Sequence, residues 1–378
     1  MKKNLPLAYI ELSKKNLIHN IKQFRDLAKK GTKFSVAIKG NAYGHGQNEV
    51  AKVLEPYVDY FQVNNIEELE LLRKVTKKPV LLLGYVQKSD LAKVIKLNCI
   101  LSVFSLEQLK HTSAMADVLK RVQEIHLPVD AYLGREGFLL KDLPKVFEEI
   151  KKSKFIKLTG IYAHFANIED TTDFSHAQKQ IDEYKKTLDL AKEFGFNSLQ
   201  THISATSGLL VYEKTLGINS IIRLGIGVYG MWPSEHLKKM YRNKILLKPV
   251  FTWKTKVAQI KILPKGYTIG YGLTYKTKKE TKVAVIPQGY ADGFDRGFSN
   301  NSFVLIHGTR CKILGRVSMN MFVADVSHLK KVKSEDEVVI LGTQGKEQIT
   351  AEEMAERIGT INYEITTRIS ALLSRIVV

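Results

Sequence analysis

Eight short apolar or β-branched runs, each bounded by turn residues, recur at regular intervals in the first two-thirds of the chain: Phe34 to Lys39, Tyr60 to Asn64, Pro79 to Tyr85, Ile100 to Ser105, Glu124 to Ala131, Leu158 to His164, Leu199 to Ala205 and Ile221 to Gly227. Helical patterns lie between them. The stretch from Phe174 to Phe194 carries Ile181, Tyr184, Leu188 and Ala191 at spacings of three and four. Another helix is expected before the first run, with Ser13 as its N-cap and Leu17, Ile18, Ile21 and Phe24 on one apolar face. Strands that alternate with helices pair in parallel, because parallel neighbours need long crossovers. Eight such units in about 230 residues predict a closed (β/α)8 TIM barrel, whose usual size is ~250 residues. A doubly wound open sheet is the alternative that alternation alone leaves open.

The pattern changes after Met231-Trp232-Pro233 and the basic stretch ending at Lys244. Phe251 to Leu263, Lys282 to Pro287, Ser302 to Leu314, Met321 to Val326 and Val338 to Leu341 are closely spaced strand candidates with Gly, Asn and Asp turns, so a mostly antiparallel β-domain is expected. One helix should interrupt it, because Thr350 and Glu353 form a capping box ahead of Met354 to Ile358. The expected division is a barrel over 11–240 and a β-domain over 241–378, joined by an N-terminal strand over 1–10.

Composition narrows the function classes. Fifty-eight Lys and Arg against 38 Asp and Glu leave a net charge of +20. The excess is mostly Lys and is spread along the chain, whereas phosphate and base recognition favour Arg forks and stacked aromatics. No nucleic-acid partner is therefore expected. No apolar run approaches the ~20 residues of a membrane helix, and Glu11 interrupts the apolar amino-terminal stretch before any cleavage site. The two cysteines, Cys99 and Cys311, make neither a disulfide framework nor a zinc motif. Neither a membrane association nor a metal is expected, and the cytoplasm is the expected location.

In a parallel barrel, reactive groups gather at the carboxyl ends of the strands, and phosphate sites commonly follow strands seven and eight. Lys39 ends the first run and precedes a loop containing Gly40, Gly44 and Gly46. At the rim of an apolar interior such a lysine is partly desolvated, which lowers its pKa and suits it to Schiff-base chemistry. Arg135 follows the fifth run, His164 ends the sixth, and His202, Ser204 and Thr206 close the seventh. Arg223, Gly225 and Ile226 belong to the eighth. Hydroxyls and open backbone N–H groups there are what a phosphate requires. An amine facing a phosphate site across a barrel mouth points to pyridoxal 5′-phosphate, or to a phosphosugar aldolase that uses no cofactor.

The stretch Ala37-Ile38-Lys39-Gly40-Asn41-Ala42-Tyr43-Gly44-His45-Gly46 resembles the cofactor-attachment motif of the alanine racemase family. Further blocks resemble that family in its own order: Arg223-Leu224-Gly225-Ile226, Gly270-Tyr271-Gly272, Ile286 to Gly293, Gly315 to Asn320 and Ile361 to Glu364. The resemblance implies a pyridoxal-phosphate barrel with a β-domain, working as a homodimer in which each active site borrows residues from the partner. Lys39 would bind the cofactor and act as one acid/base, and Tyr271 of the other copy would act as the second. Two bases on opposite faces can remove and return an α-proton without either moving. By the same resemblance His164 would assist Tyr271, and Arg223 would face the pyridine nitrogen and keep it unprotonated, with His202 orienting the arginine. That choice favours racemisation over the decarboxylation run by related barrels. Tyr43, Ser204, Thr206, Gly225, Ile226 and Tyr363 would hold the cofactor, chiefly its phosphate. Arg135 and Met319 would place the cofactor's phenolic oxygen and the substrate carboxylate, and Tyr290 with Tyr363 would narrow the entrance to a methyl side chain.

Three departures from the family pattern stand out. Pro128 occupies the place of a lysine that in many members braces the arginine corresponding to Arg135. Asn320 replaces a frequent aspartate, and Ser204-Ala205-Thr206 varies the usual Ala-Asn-Ser. The alternatives weighed are a broad-specificity racemase acting on serine, lysine or arginine, a decarboxylase of the same fold, a non-catalytic cofactor-binding protein and a basic surface-binding protein.

Overall fold

The computed structural model describes residues 5–212 and 217–378. The described residues form two compact units, those within Leu17–Gly40 with Val50–Lys248, and those within Met1–Asn16 with Asn41–Glu49 and Pro249–Val378. Strand β1 is Tyr9–Leu12; residues 1–4 of the strand expected over 1–10 lie outside the described residues.

The first unit holds the eight expected strands: β2 (Lys33–Ala37), β3 (Tyr60–Val63), β4 (Val80–Leu82), β5 (Ile100–Ser102), β6 (Gln123–Pro128), β7 (Ile156–Tyr162), β8 (Gln200–His202) and β9 (Ile221–Leu224). All are parallel, in the order β9-β2-β3-β4-β5-β6-β7-β8. The ends of this row meet, because Ser220 N donates to Thr201 O at 2.8 Å and Arg223 N to Ser204 O at 3.0 Å. The sheet is thus closed in chain order, as a (β/α)8 barrel requires, and the doubly wound alternative is excluded. Every strand ends before its apolar run does, since pairing stops where the chain bends away at the rim.

The intervening helices start where capping chemistry places them. Asn65 accepts from Glu68 N at 2.9 Å ahead of Ile66–Arg73, and Ser105 accepts from Gln108 N at 3.1 Å ahead of Leu106–Leu119. The helix expected over Phe174 to Phe194 spans Ser175–Glu193 and buries Ile181, Tyr184 and Ala191. The Tyr184 hydroxyl donates to Ile161 O at 2.6 Å and accepts from His202 N at 3.0 Å, which ties this helix to β7 and β8. No helix among the described residues is long and apolar enough to cross a membrane.

The second unit is a largely antiparallel sheet. Its path runs through Gln259–Leu263, Thr281–Ile286, Phe322–Asp325, Thr309–Leu314, Phe303–Ile306, Glu337–Gln344, Phe251–Lys256, β1 and Ser374–Val377, and only the last two pair in parallel. Phe251, Trp253 and Thr255 point inward and alternate with half-buried Thr252, Lys254 and Lys256, the period-two signature of a strand covered on one side. Phe294 stacks on Phe322 at 4.6 Å and lies 4.8 Å from Phe298, and Trp253 Nε1 donates to Gln288 Oε1 at 3.0 Å.

The structure refines the strand expectations here. Phe251 to Leu263 is two strands broken at Val257-Ala258, and Ser302 to Leu314 is a hairpin turning at His307-Gly308, both with positive φ (51° and 68°). Thr350 caps Ala351–Ile358 as expected, with Glu353 N donating to its hydroxyl at 3.1 Å. A second helix, Asn362–Thr367, corrects the expectation of one. Its six residues are too few for a helical period to register in the sequence.

Candidate active site

Lys39 follows β2 and opens the short turn Lys39–Tyr43. This turn is left-handed: Gly40, Asn41, Ala42 and Tyr43 have φ of 59°, 52°, 55° and 54°. Such backbone costs roughly 1–2 kcal/mol per non-glycine residue, so it persists only where its surroundings hold it. Glu68 supplies part of that hold, accepting from Gly40 N at 2.6 Å and from Asn64 N at 2.7 Å. Asn41 Oδ1 accepts from Gln47 N at 2.9 Å, and Gly46 N donates to Asn41 O at 2.9 Å. Gly44 is required by contact: a Cβ there would lie 1.9 Å from Thr366 O. The Lys39 ammonium is destabilised first by burial and then by the charge of Arg135, so its pKa is lowered.

Arg223, only 6% exposed, lies on β9, the strand that pairs with β2, in register with Ser35. Its Nη1 donates to His202 Nδ1 at 2.8 Å and to His202 O at 3.1 Å; its Nη2 donates to Ala163 O at 2.7 Å and to His164 Nδ1 at 3.2 Å. The guanidinium lies 4.9 Å from the Tyr162 ring, which stacks on His202 at 4.9 Å. Guanidinium only donates, so the tautomers follow. His202 accepts at Nδ1 and carries its proton on Nε2, which donates to His126 Nδ1 at 2.9 Å. His126 then carries its proton on Nε2, a buried position with no acceptor. Burial, with the Arg223 charge second, holds His126 and His164 down at about 3 and His202 well below the usual range. The imidazoles are neutral at physiological pH. His164 accepts at Nδ1 and so offers an Nε2–H donor, not a positive charge.

The turn after β9 completes the barrel rim. Gly225 N donates to the Thr206 hydroxyl at 3.1 Å, and Ile226 opens a short 3-10 turn, Ile226–Tyr229. Gly227 has no room for a side chain: a Cβ would lie 2.5 Å from the Phe24 ring. Ser204 lies beneath, its Oγ accepting from Asn219 Nδ2 at 2.9 Å. Arg135 stands on the loop after β6, paired with Glu136, and a cavity of about 220 Å³ is lined by Arg135, His164, Phe165, Glu169, Ala205 and Ser207. Lys39, Arg135, His164 and Arg223 lie within electrostatic reach of one another. Pyridoxal 5′-phosphate fits this donor set: a desolvated amine for an aldehyde, a hydroxyl and small-residue turn for a phosphate, and an arginine whose Nη groups are committed to protein acceptors.

The remaining predicted residues belong to the other unit. Tyr43 and Tyr363 face each other there with ring centroids 6.0 Å apart. Tyr271 is 73% exposed in a tight turn flanked by Gly270 and Gly272, with φ of 75° and 69°. It lines a cleft of about 760 Å³ with Tyr290, Asp295, Arg296, Ser318 and Arg368. Met319 is exposed, and its carbonyl accepts from Ala291 N at 3.0 Å.

Sequence reasoning missed His126, Tyr162, Glu68 and Glu136. A histidine inside the otherwise apolar run Ile125 to Leu127 was the available signal for His126, since an ionisable group in a barrel strand needs a buried partner.

Comparison with known proteins bears on this arrangement. Residues 12–233 match the family model for the alanine racemase N-terminal domain, and residues 250–377 match that for the C-terminal domain. The chain is 34% identical over 378 residues to an alanine racemase of Leptospira interrogans, covering 98% of this chain and 96% of the relative. It is 37% identical over 372 residues to one of Carboxydothermus hydrogenoformans, covering 98% and 99%. Among solved structures, alanine racemase from Clostridium difficile 630 superposes with a TM-score of 0.92 at 31% identity, covering 100% of this chain and 97% of that one. A Bacillus anthracis alanine racemase with bound L-Ala-P gives 0.91 at 31% identity, covering 98% and 95%. With both family models matched and full-length relatives above 30% identity, the chain belongs to the alanine racemase family of isomerases.

Proposed function

We propose that this protein interconverts L- and D-alanine with pyridoxal 5′-phosphate, as a homodimer, using Lys39 of one copy and Tyr271 of the other as the two proton carriers. The observation that carries the reading is the half-buried Lys39 amine just past the end of β2, its pKa lowered by desolvation and by the charges of Arg135 and Arg223. The cofactor, when bound, supplies a conjugated ring that takes up the electron pair left as the α-proton departs. Lys39 removes or returns that proton on one face of the substrate, and the Tyr271 hydroxyl does so on the other. His164, neutral with Nε2–H available, donates a hydrogen bond to the Tyr271 oxygen and so favours its anionic form.

Arg223, fixed by His202, Ala163 and His164, presents a permanent positive charge. A group facing it is disfavoured from taking up a proton, which limits charge delocalisation and suits rapid reprotonation at the α-carbon. Thr206, Ser204, Gly225 and Ile226, with Tyr43 and Tyr363, hold the phosphate. Arg135 and Met319 place the substrate carboxylate, and Tyr290 with Tyr363 restricts the side chain to a methyl group.

The test separates cofactor attachment from proton transfer. The purified protein should be yellow and bleach with borohydride; Lys39→Ala should lose that colour, while Tyr271→Phe should keep it and lose racemisation. Co-expressing the two inactive variants should then restore up to about a quarter of wild-type activity, because random pairing gives half heterodimers with one intact site each. No restoration would show that the two groups act from the same chain. A Lys39→Ala protein that stays yellow and active would overturn the site assignment.

A further inference from the structure

The loop after β6 is built to hold one ion pair in place. Phe138 N donates to Pro128 O at 3.0 Å and Asp130 N to Phe138 O at 3.0 Å, so the loop closes on itself. Inside it, Asp130 Oδ1 accepts from Leu133 N and Gly134 N, both at 2.8 Å. Outside it, Gln180 Nε2 donates to Ala131 O at 2.6 Å, and the His176 ring lies 3.1 Å from Tyr132 O. Gly134 and Gly137 carry φ of 70° and 127°, and a Cβ on Gly137 would lie 2.7 Å from Asp130 N. Arg135 and Glu136 are the two residues between these glycines. Their side chains meet in a fork: Arg135 Nε and Nη2 donate to the two Glu136 carboxylate oxygens, the second bond at 2.8 Å. Pro128, at the end of β6, brings no charge to this loop.

We propose that Glu136 is the positioning residue for Arg135: its carboxylate grips the Nε side of the guanidinium, orienting the Nη1 side toward an incoming carboxylate. The inference rests on the reading of Arg135 as the substrate-carboxylate ligand and extends it to a residue two bonds removed from the substrate. Three features support it. The fork uses one edge of the guanidinium, and no protein acceptor among the described residues takes Nη1. The Arg135 side chain is 60% exposed while that of Glu136 is 31%, so the more enclosed carboxylate anchors the more exposed arginine. Glu136 is also a carboxylate that acts on the closely spaced cations Lys39, Arg135 and Arg223, so it offsets their mutual repulsion without occupying the substrate edge.

The experiment uses the cofactor-loaded protein and compares Glu136→Gln, Glu136→Asp and Arg135→Ala. With Glu136→Gln, KM for alanine and the inhibition constant of acetate, a bare carboxylate probe, should both rise about tenfold, the scale of one lost charge-assisted bond. The yellow absorbance should not change. Glu136→Asp should recover part of the loss. Modification of Arg135 by phenylglyoxal, followed by peptide mass spectrometry, should accelerate several-fold in Glu136→Gln because the guanidinium edge is released. Unchanged KM, acetate affinity and labelling would overturn the proposal, as would tighter acetate binding, which would mark Glu136 as a competitor for the arginine. The labelling needs no turnover. A wild-type protein that racemises nothing would therefore defeat the functional reading while the Arg135 labelling rates still decide the role of Glu136.

Discussion

In the barrel unit Arg223, His202, His126 and His164 are taken out of water and tied to one another, whereas in the β-unit Tyr271, Tyr290 and Met319 stand exposed on tight turns. The barrel groups have their protonation states set by their surroundings before any ligand arrives. Those of the β-unit have positions set by glycine-flanked turns and chemistry left to whatever covers them. Desolvation is a property of a filled interior, which Arg223 and these imidazoles occupy, whereas an exposed turn can only aim its side chains. In the proposed two-copy site, one copy would bring the tuned groups and the other the aimed ones.

Acid should break the contrast most strongly. His126 and His164 have folded pKa values of about 3, against ~6.5 in an unfolded chain. The unfolded state thus binds more protons between these values. Stability is full above pH ~6.5, falls by roughly 1.4 kcal/mol per pH unit for each histidine as pH drops, and levels off below about pH 3. At pH 5 the two together should cost about 4 kcal/mol, and His202 acts in the same direction. The β-unit carries one comparable group, His45, also held at about 3. Hydrogen exchange corrected for intrinsic rates should show Gln123–Pro128 and Gln200–His202 losing protection at pH 5 well before Phe303–Ile306. Equal losses in the two units would remove the distinction.

Arg223→Met should come next, at about 3 kcal/mol or more, because the acceptors on His202, Ala163 and His164 lose a charged donor while remaining buried. Denaturant unfolding would measure it, and NMR titration should find the imidazole of His202 easier to protonate once the neighbouring charge is gone. The smallest effect belongs to the β-unit's own charged network, in which Arg310 meets Glu353 at 2.6 and 2.8 Å and Glu347 at 3.0 Å. Arg310→Ala should cost only about 1–2 kcal/mol, since water screens these partly exposed groups, and it should leave racemisation unchanged.

Much of this architecture was legible in the residues. The eight apolar runs marked the barrel strands to within a few positions because most of their residues are buried, and Ser13 and Thr350 marked helix starts through their hydroxyls. The rim was less legible. Lys39 reads as a strand end, yet pairing stops at Ala37 and the chain turns left-handed, a conformation that Asn41, Ala42 and Tyr43 would not choose by themselves. Nothing local to Asn362–Thr367 distinguishes it from a loop, and the strand Ser374–Val377 is recognisable only through its partner β1. At the site, residue identity pointed to Lys39 and Arg223, but His126, seventy-six positions from His202, has no sequence pattern linking it to its partner.

The sequence by itself determined the strand and helix periods and which side chains could do acid–base chemistry, because these depend on residue type and near-neighbour spacing. Only the tertiary structure decided the protonation states of the buried imidazoles, the tautomer chain from Arg223 to His126, and the fork between Arg135 and Glu136. The imidazole states depend on distances and exclusion of water across the barrel, where residues remote in the chain become each other's solvent; the fork joins sequence neighbours and depends on the loop backbone that turns their side chains together.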